Sequence, residues 1–216
     1  MNQTISYYDK NAKEFCNSTK DVDMSFCRDK FLYLLEEKNH IGAKEYDKSK
    51  IHILDAGCGS GRDAKAFLEA GYQVTAIDAS GKICEEAEKL IKQKVLCMRF
   101  EELQFQQEFD GIWACACLLH VSGEEINGVL KRFWNALKED GIFYASFKYG
   151  KGMRTDRGRV FCDYEETALK NLMVQNSFVI EDIFRTRDGR KGRENEQWVN
   201  ALVRKRAFLR EGGTMR

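Results

Sequence analysis

The run ILDAGCGSGRD, residues 53–63, constrains this chain more than any other stretch. A short apolar segment reaches Asp55 and passes through Gly57, Gly59 and Gly61. A helical pattern then runs from Arg62 to about Ala70, with Ala64, Phe67 and Leu68 on its inner side and Gly71 as its stop. Glycines between a strand and a helix let the backbone approach a ligand closely, and the helix N-terminus offers free N–H donors. Such a crevice suits a nucleotide-like ligand.

Two ligands compete for it. A dinucleotide loop has the spacing G-x-G-x-x-G and sets a pyrophosphate on the helix N-terminus; here the position of its last glycine is Arg62. Asp55 decides further, because a carboxylate on the loop approach repels a pyrophosphate but attracts the ammonium of an amino-acid-bearing ligand. S-adenosylmethionine has that ammonium, a sulfonium, an adenosine and no phosphate. Asp78, ending the next strand-like stretch QVTAID, then suits the two ribose hydroxyls as a paired acceptor, with Ala79 beside it. Cys58 fits inside the loop as a small residue next to the ligand rather than as a nucleophile.

The remaining pattern is α/β. Residues 21–38 read as one or two amphipathic helices, followed by a polar connection over 39–50. After QVTAID, Ser80 caps a helix bearing Ile83, Ala87, Leu90 and Ile91, and VLCMRF reads as a third strand. FDGIWACACLL and GIFYASFKY are strands around a helix carrying Ile126, Val129, Leu130, Phe133 and Leu137. DYEE at 163–166 has the form of a capping box for a helix with Leu169, Leu172 and Met173. FVIEDIFRT and EQWVNALVRK, joined by a short polar stretch, form an antiparallel pair. Strands alternating with helices predict a parallel sheet. The expected fold is therefore Rossmann-like: a seven-stranded, mostly parallel sheet with an antiparallel last strand and helices on both faces. Residues 1–50 are expected to be a helical lid segment of that one domain, 51–208 its body, and 209–216 a loose tail.

Asp55, the three glycines and Asp78 together make D-x-G-x-G-x-G followed by an acid at the next strand end. This resembles the class I S-adenosylmethionine-dependent methyltransferases, in detail the small bacterial enzymes of tellurite-resistance and quinone-biosynthesis type. The resemblance implies S-adenosylmethionine as cofactor. It implies adenine contacts from MRFEELQF at Phe100 and Glu101, with Arg99 standing where members usually have an acid. It makes Ala114, in FDGIWACACLLH, a cofactor neighbour and brings His120 near the transferred methyl. It also makes Tyr7 and Tyr8 part of a leading segment folded over the cofactor, with Tyr8 shaping the acceptor pocket. Methyl transfer from a sulfonium needs chiefly alignment. His120 serves as a base if the acceptor is a hydroxyl or a protonated amine, or else packs at a strand end.

Charge and composition narrow the acceptor. With 35 basic and 34 acidic residues no global field favours nucleic acid or membrane, and no stretch has the apolar length of a membrane span. The N-terminus lacks a signal-peptide pattern, so a cytoplasmic location is expected. The eight cysteines include no CxxC pair and read as reduced, with no metal site. Without proline, the chain has neither the (N/D)-P-P-(Y/F) motif of base amine methylation nor a Pro-Cys nucleophile. Locally, KGMRTDRGR (151–159) and RTRDGRKGR (185–193) are basic, and the family topology brings both to the ligand edge of the sheet. Arg157 and Arg159 are thus candidate ligands for an anionic small molecule, the basic surface being otherwise simply solvated. An RNA or protein acceptor, and a cofactor-binding protein without transfer activity, are the alternatives. Oligomeric state is not legible.

Overall fold

The computed structural model describes residues 2–40 and 47–206. Part of the expected 39–50 connection and the expected tail at 209–216 lie outside the described residues. The elements in chain order are α1 (Asn2–Thr19), α2 (Ser25–His40), β1 (His52–Ala56), α3 (Arg62–Glu69), β2 (Gln73–Asp78), α4 (Gly81–Ile91), β3 (Leu96–Cys97), β4 (Phe109–Ala114) and α5 (Ile126–Ala136). They continue with β5 (Leu137–Lys148), β6 (Gly152–Asp156), β7 (Arg159–Asp163), α6 (Glu166–Gln175), β8 (Phe178–Arg187) and β9 (Gln197–Lys205).

Seven strands form one sheet in the order β3-β2-β1-β4-β5-β9-β8. β1 pairs in parallel with both β2 and β4, and β9 lies antiparallel between β5 and β8. The strand order reverses between β1 and β4, and ligands in open α/β sheets bind outside the carboxyl ends at such a reversal. All six residues of β4 are buried, as expected of a strand covered on both faces. Successive side chains go to opposite sides. Ile53, Trp113, Ile142 and Tyr144 meet Phe31 and Leu35 of α2 and Phe67 of α3; Leu54, Ile112, Phe143 and Ala145 meet Phe133 of α5 and Leu169 and Met173 of α6. Helices α3 and α4 close together through Ala64, Ala87 and Ile91.

Several local expectations need correction. VLCMRF contributes only Leu96–Cys97 to the sheet, because the chain leaves this edge and tightens into a 3-10 turn at Phe100–Glu102. The capping box at 163–166 does not form: Glu165 occupies the cap position without a side-chain bond, while Asp163 accepts from Arg154 Nε at 2.7 Å. KGMRTDRGR is a hairpin, β6–β7, rather than a loop. Its two-residue turn, Arg157–Gly158, has φ of 49° and 78°, the left-handed pair that matches strand twist. Ser80 does cap α4, accepting from the Ile83 N–H at 3.2 Å.

The leading helices are more than a lid. Phe31 is fully buried against Phe67 and Trp113, with ring centroids 5.8 and 5.4 Å away. Phe31→Ala is expected to cost about 3–5 kcal/mol, read by urea unfolding; a loss below about 1 kcal/mol would show that α2 merely rests on the sheet.

Candidate active site

The carboxyl ends of β1, β2, β4 and β5 open into a cleft of ≈ 1190 Å³. Its floor is the glycine loop. Gly57 and Cys58 both donate their N–H groups to Ile77 O at 2.9 Å, pinning the loop to β2. Gly57 has φ 71°, and a methyl there would lie 2.5 Å from Cys117 Cβ. Gly59 donates its N–H to Asp78 Oδ2 (3.1 Å), while Asp78 Oδ1 accepts from Ser80 N–H (2.9 Å). Burial pushes the Asp78 carboxyl up to about 6, against the lowering effect of those backbone donors.

Asp55 is 2% exposed, lines the cleft and accepts the Ala64 N–H at 3.0 Å. It thus stands under the start of α3 and pins it. Burial first, and the neighbouring Asp63 second, raise its pKa well above the ordinary carboxylate range, while Arg62 pulls the other way. Asp63 has the opposite fate. Burial disfavours its charge, but Arg62 and Arg28 overcome this and hold it low; it accepts from Arg28 at 2.7 Å, Arg62 at 2.5 Å and Trp113 Nε1 at 3.0 Å. One buried carboxylate therefore has its cations, and the other lacks one of its own.

The cleft has a roof that the sequence did not foretell in detail. Helix α1 lays Phe15 over Gly59, where an added methyl would lie 3.4 Å from the ring, and Asp9 accepts from Ser80 Oγ (2.6 Å) and Lys82 N–H (3.2 Å). At its other end Thr4 Oγ1 accepts the Val160 N–H at 3.3 Å, joining the helix to the β6–β7 hairpin. Arg159 lies 4.2 Å from the Tyr7 ring centre and 5.0 Å from that of Phe161, and Arg154 4.4 Å from Phe161. Opposite them, Asp188 gathers Lys148 Nζ (3.0 Å), Arg190 Nε (2.9 Å) and Trp198 Nε1 (3.1 Å), which ties the β8–β9 connection to the end of β5.

Of the residues singled out by sequence, Tyr8, Asp55, Gly57, Cys58, Gly59, Asp78, Ala79, Phe100, His120 and Arg159 line this cleft. Four do not. Gly61 (φ 80°) instead allows α3 to approach α4, where a methyl would meet Ile91 at 2.9 Å. Ala114 is fully buried on the α5 face, and the next residues, Cys115, Ala116 and Cys117, reach the cleft in its place. Glu101 sits within the 3-10 turn while its neighbours Arg99 and Phe100 face the cleft. Arg157 is spent on the exposed hairpin turn. The Cys58 thiol is held well above its usual range by burial and by Asp55, so it stays protonated.

His120 is placed unlike a free base. Its Nδ1 lies 2.6 Å from Val160 O and its Nε2 2.8 Å from Tyr8 Oη. A carbonyl only accepts, so Nδ1 carries the ring proton and Nε2 accepts from the Tyr8 hydroxyl. Burial, with Arg159 and Arg154 adding to it, lowers the imidazole to about 4.

The glycine at 57 gives a direct test of this packing. Gly57→Ala forces a side chain into a left-handed position and against Cys117, at a cost of about 1–3 kcal/mol. A thermal midpoint unchanged from the parent protein would contradict it.

Comparison with known proteins agrees with this geometry. Residues 53–141 match the methyltransferase domain family. A ubiquinone biosynthesis O-methyltransferase from Rickettsia canadensis is 28% identical over 145 residues, 64% of this chain and 59% of that protein. Its counterpart from Rickettsia felis is 31% identical over 115 residues, covering 51% and 45%. The chain thus spans about half the length of the curated relatives it matches. Among solved structures, Burkholderia thailandensis 1,6-didemethyltoxoflavin-N1-methyltransferase, with 1,6-didemethyltoxoflavin and S-adenosylhomocysteine bound, superposes with a TM-score of 0.63 at 23% identity, over 94% of this chain and 91% of that one. The [4+2]-cyclase SpnF superposes with a TM-score of 0.66 at 16% identity, over 94% of each chain. Residues 53–141 therefore match a methyltransferase domain, and the chain has the fold of the solved methyltransferases it superposes on.

Proposed function

We propose that this protein is an S-adenosylmethionine-dependent methyltransferase whose acceptor is a small anionic molecule. The observation that carries the reading is the pair of buried carboxylates, Asp55 and Asp78, flanking a glycine loop that a pyrophosphate could not approach without repulsion. The donor set fits the cofactor: Asp55 for its ammonium, Asp78 for its ribose hydroxyls, Phe100 and Ala79 for its adenine. When bound, it supplies a methyl group on a sulfonium that departs as a neutral thioether.

The protein's own contribution is alignment and exclusion of water. Tyr8, Phe15 and the β6–β7 hairpin cover the cleft from above, which supports an acceptor small enough to pass beneath them rather than a polymer. Basic side chains outnumber carboxylates at the acceptor end, where Lys148, Arg154, Arg159, Arg185, Arg187 and Arg190 line the space beside Asp156, Asp163, Asp188 and Glu196, with which four of them are ion-paired. An anion gains from such a field in a water-poor cleft. The relatives named for ubiquinone biosynthesis and for 1,6-didemethyltoxoflavin support a small acceptor. The likeness to a cyclase shows that this fold also serves other chemistry. Transfer of label from methyl-labelled S-adenosylmethionine to an acceptor panel separates the two.

The titration of Asp78 sets a pH dependence. Its carboxylate is mostly protonated at pH 5 and mostly ionised at pH 7, and only the ionised form accepts two hydroxyls. S-adenosylhomocysteine is expected to bind about tenfold or more tightly at pH 7 than at pH 5, by calorimetry. The raised pKa of Asp55 adds in the same direction; affinity independent of pH across this range would sink the assignment.

A further inference from the structure

The contacts around His120 bear on a question the proposed function leaves open, namely which atom of the acceptor receives the methyl. The imidazole is saturated: Nδ1–H donates to Val160 O and Nε2 accepts from Tyr8 Oη. Phe161 packs on its face at 4.8 Å between ring centres. His120 therefore offers the cleft neither a lone pair nor a proton. What it does is fix the direction of the Tyr8 hydroxyl. With its only proton committed to His120, the Tyr8 oxygen can act toward the cleft solely as an acceptor.

Tyr8 stands where the two halves of the cleft join. On the cofactor side its ring contacts Phe15, at 5.0 Å between centres, and Phe15 in turn covers Gly59. On the acceptor side stands Arg159, 6.0 Å from the Tyr8 ring centre; burial raises the Tyr8 phenol above its usual range and so keeps it protonated, with Arg159 only partly offsetting this. The Arg159 guanidinium is itself incompletely used. One terminal nitrogen donates to Asp156 at 2.9 Å, but Nε is buried with no hydrogen-bond partner among the described residues. A buried donor of this kind costs free energy until something accepts from it.

We propose that Tyr8 and Arg159 together select a hydroxyl oxygen as the methyl acceptor. A hydroxyl suits both groups best, donating a hydrogen bond to Tyr8 Oη while accepting from Arg159 Nε–H; as its oxygen bonds to the methyl and the sulfonium C–S bond breaks to leave a neutral thioether, its proton is released to water. An ammonium repels the guanidinium and has no lone pair for it; a neutral amine accepts more weakly and gains nothing from the cation as it acquires positive charge on methylation. A thiol is a poor partner on both counts. The arrangement also orders the residues: Tyr8 and Arg159 touch the acceptor, and His120 is a positioning residue acting through Tyr8.

This inference rests on the methyltransferase reading, so the experiment has two arms. S-adenosylhomocysteine binding to the purified protein, by calorimetry, tests that reading alone; its absence ends both. Given binding, labelled S-adenosylmethionine is offered with three matched probes, 4-hydroxybenzoate, 4-aminobenzoate and 4-mercaptobenzoate, which share ring and carboxylate. Transfer to the hydroxyl member, at least about tenfold above the others, supports the proposal. Transfer chiefly to nitrogen or sulfur, or to none of the three, overturns it. In Tyr8→Phe and Arg159→Gln that preference is expected to disappear while the Kd for S-adenosylhomocysteine stays within threefold. His120→Gln, whose amide oxygen can still accept from Tyr8, should retain more transfer than His120→Leu. Equal losses in those two variants would reduce His120 to packing and remove the basis for the Tyr8 assignment. ¹⁵N spectra of the parent protein with S-adenosylhomocysteine give an independent check. The Nδ1–H tautomer unchanged from pH 5.5 to 8.5 is expected, and an imidazole titrating near 6.5 would contradict it.

Discussion

A carboxylate with almost no contact with solvent, at the end of a central strand, is the constraint around which this molecule is arranged. Asp55 is needed structurally, since its bond to Ala64 N–H holds the first turn of α3. It is also electrostatically incomplete. Its neighbour Asp63 has taken both available guanidiniums, Arg28 and Arg62, and leaving a second buried charge without a partner is expensive. A protein keeps such an imbalance where a cationic ligand restores it. The proposed function gives the glycines a part as well: with no phosphate to cradle, they would bring backbone close to an uncharged ribose and a zwitterionic tail.

Helix α1 links the two ends of the cleft. Asp9 binds the start of α4, Phe15 covers Gly59, Tyr8 engages His120, and Thr4 meets the hairpin backbone at Val160. The glycine loop, His120 and the β6–β7 hairpin are thus held by side chains of a single helix. Any displacement of α1 disturbs all three together. On the far side, Asp188 ties the β8–β9 connection to the end of β5 through Lys148, Arg190 and Trp198.

Much of this was legible in the sequence. The alternation of apolar runs and amphipathic helices predicted the sheet and its layers, because strands covered on both faces need apolar runs such as the GIWA that ends β4. D-x-G-x-G-x-G was legible because few residues tolerate the backbone conformations it imposes. What escaped depended on tertiary partners. Ala114 and Cys115 differ only in which face of the sheet they meet, which one residue of strand register decides. Asp163 looks like a helix cap until Arg154 claims it. The β6–β7 hairpin was hidden beneath its charges, although Arg157–Gly158 marks its turn, and counting basic residues could not show that Arg159 lines the cleft while Arg157 sits on the exposed turn. Nothing in the sequence announces that Arg159 lacks a partner at Nε or that His120 faces Tyr8, since both arise from segments more than a hundred residues apart.

The most direct test of the whole account is calorimetric titration of the protein and of its Asp55→Asn variant with S-adenosylhomocysteine and, separately, with NAD⁺. The buried charge predicts binding of S-adenosylhomocysteine alone, weakened about ten- to a hundredfold by the substitution, the range expected for a lost charged hydrogen bond. Uptake of the pyridine nucleotide, or a variant that binds S-adenosylhomocysteine as tightly as the parent, would contradict it.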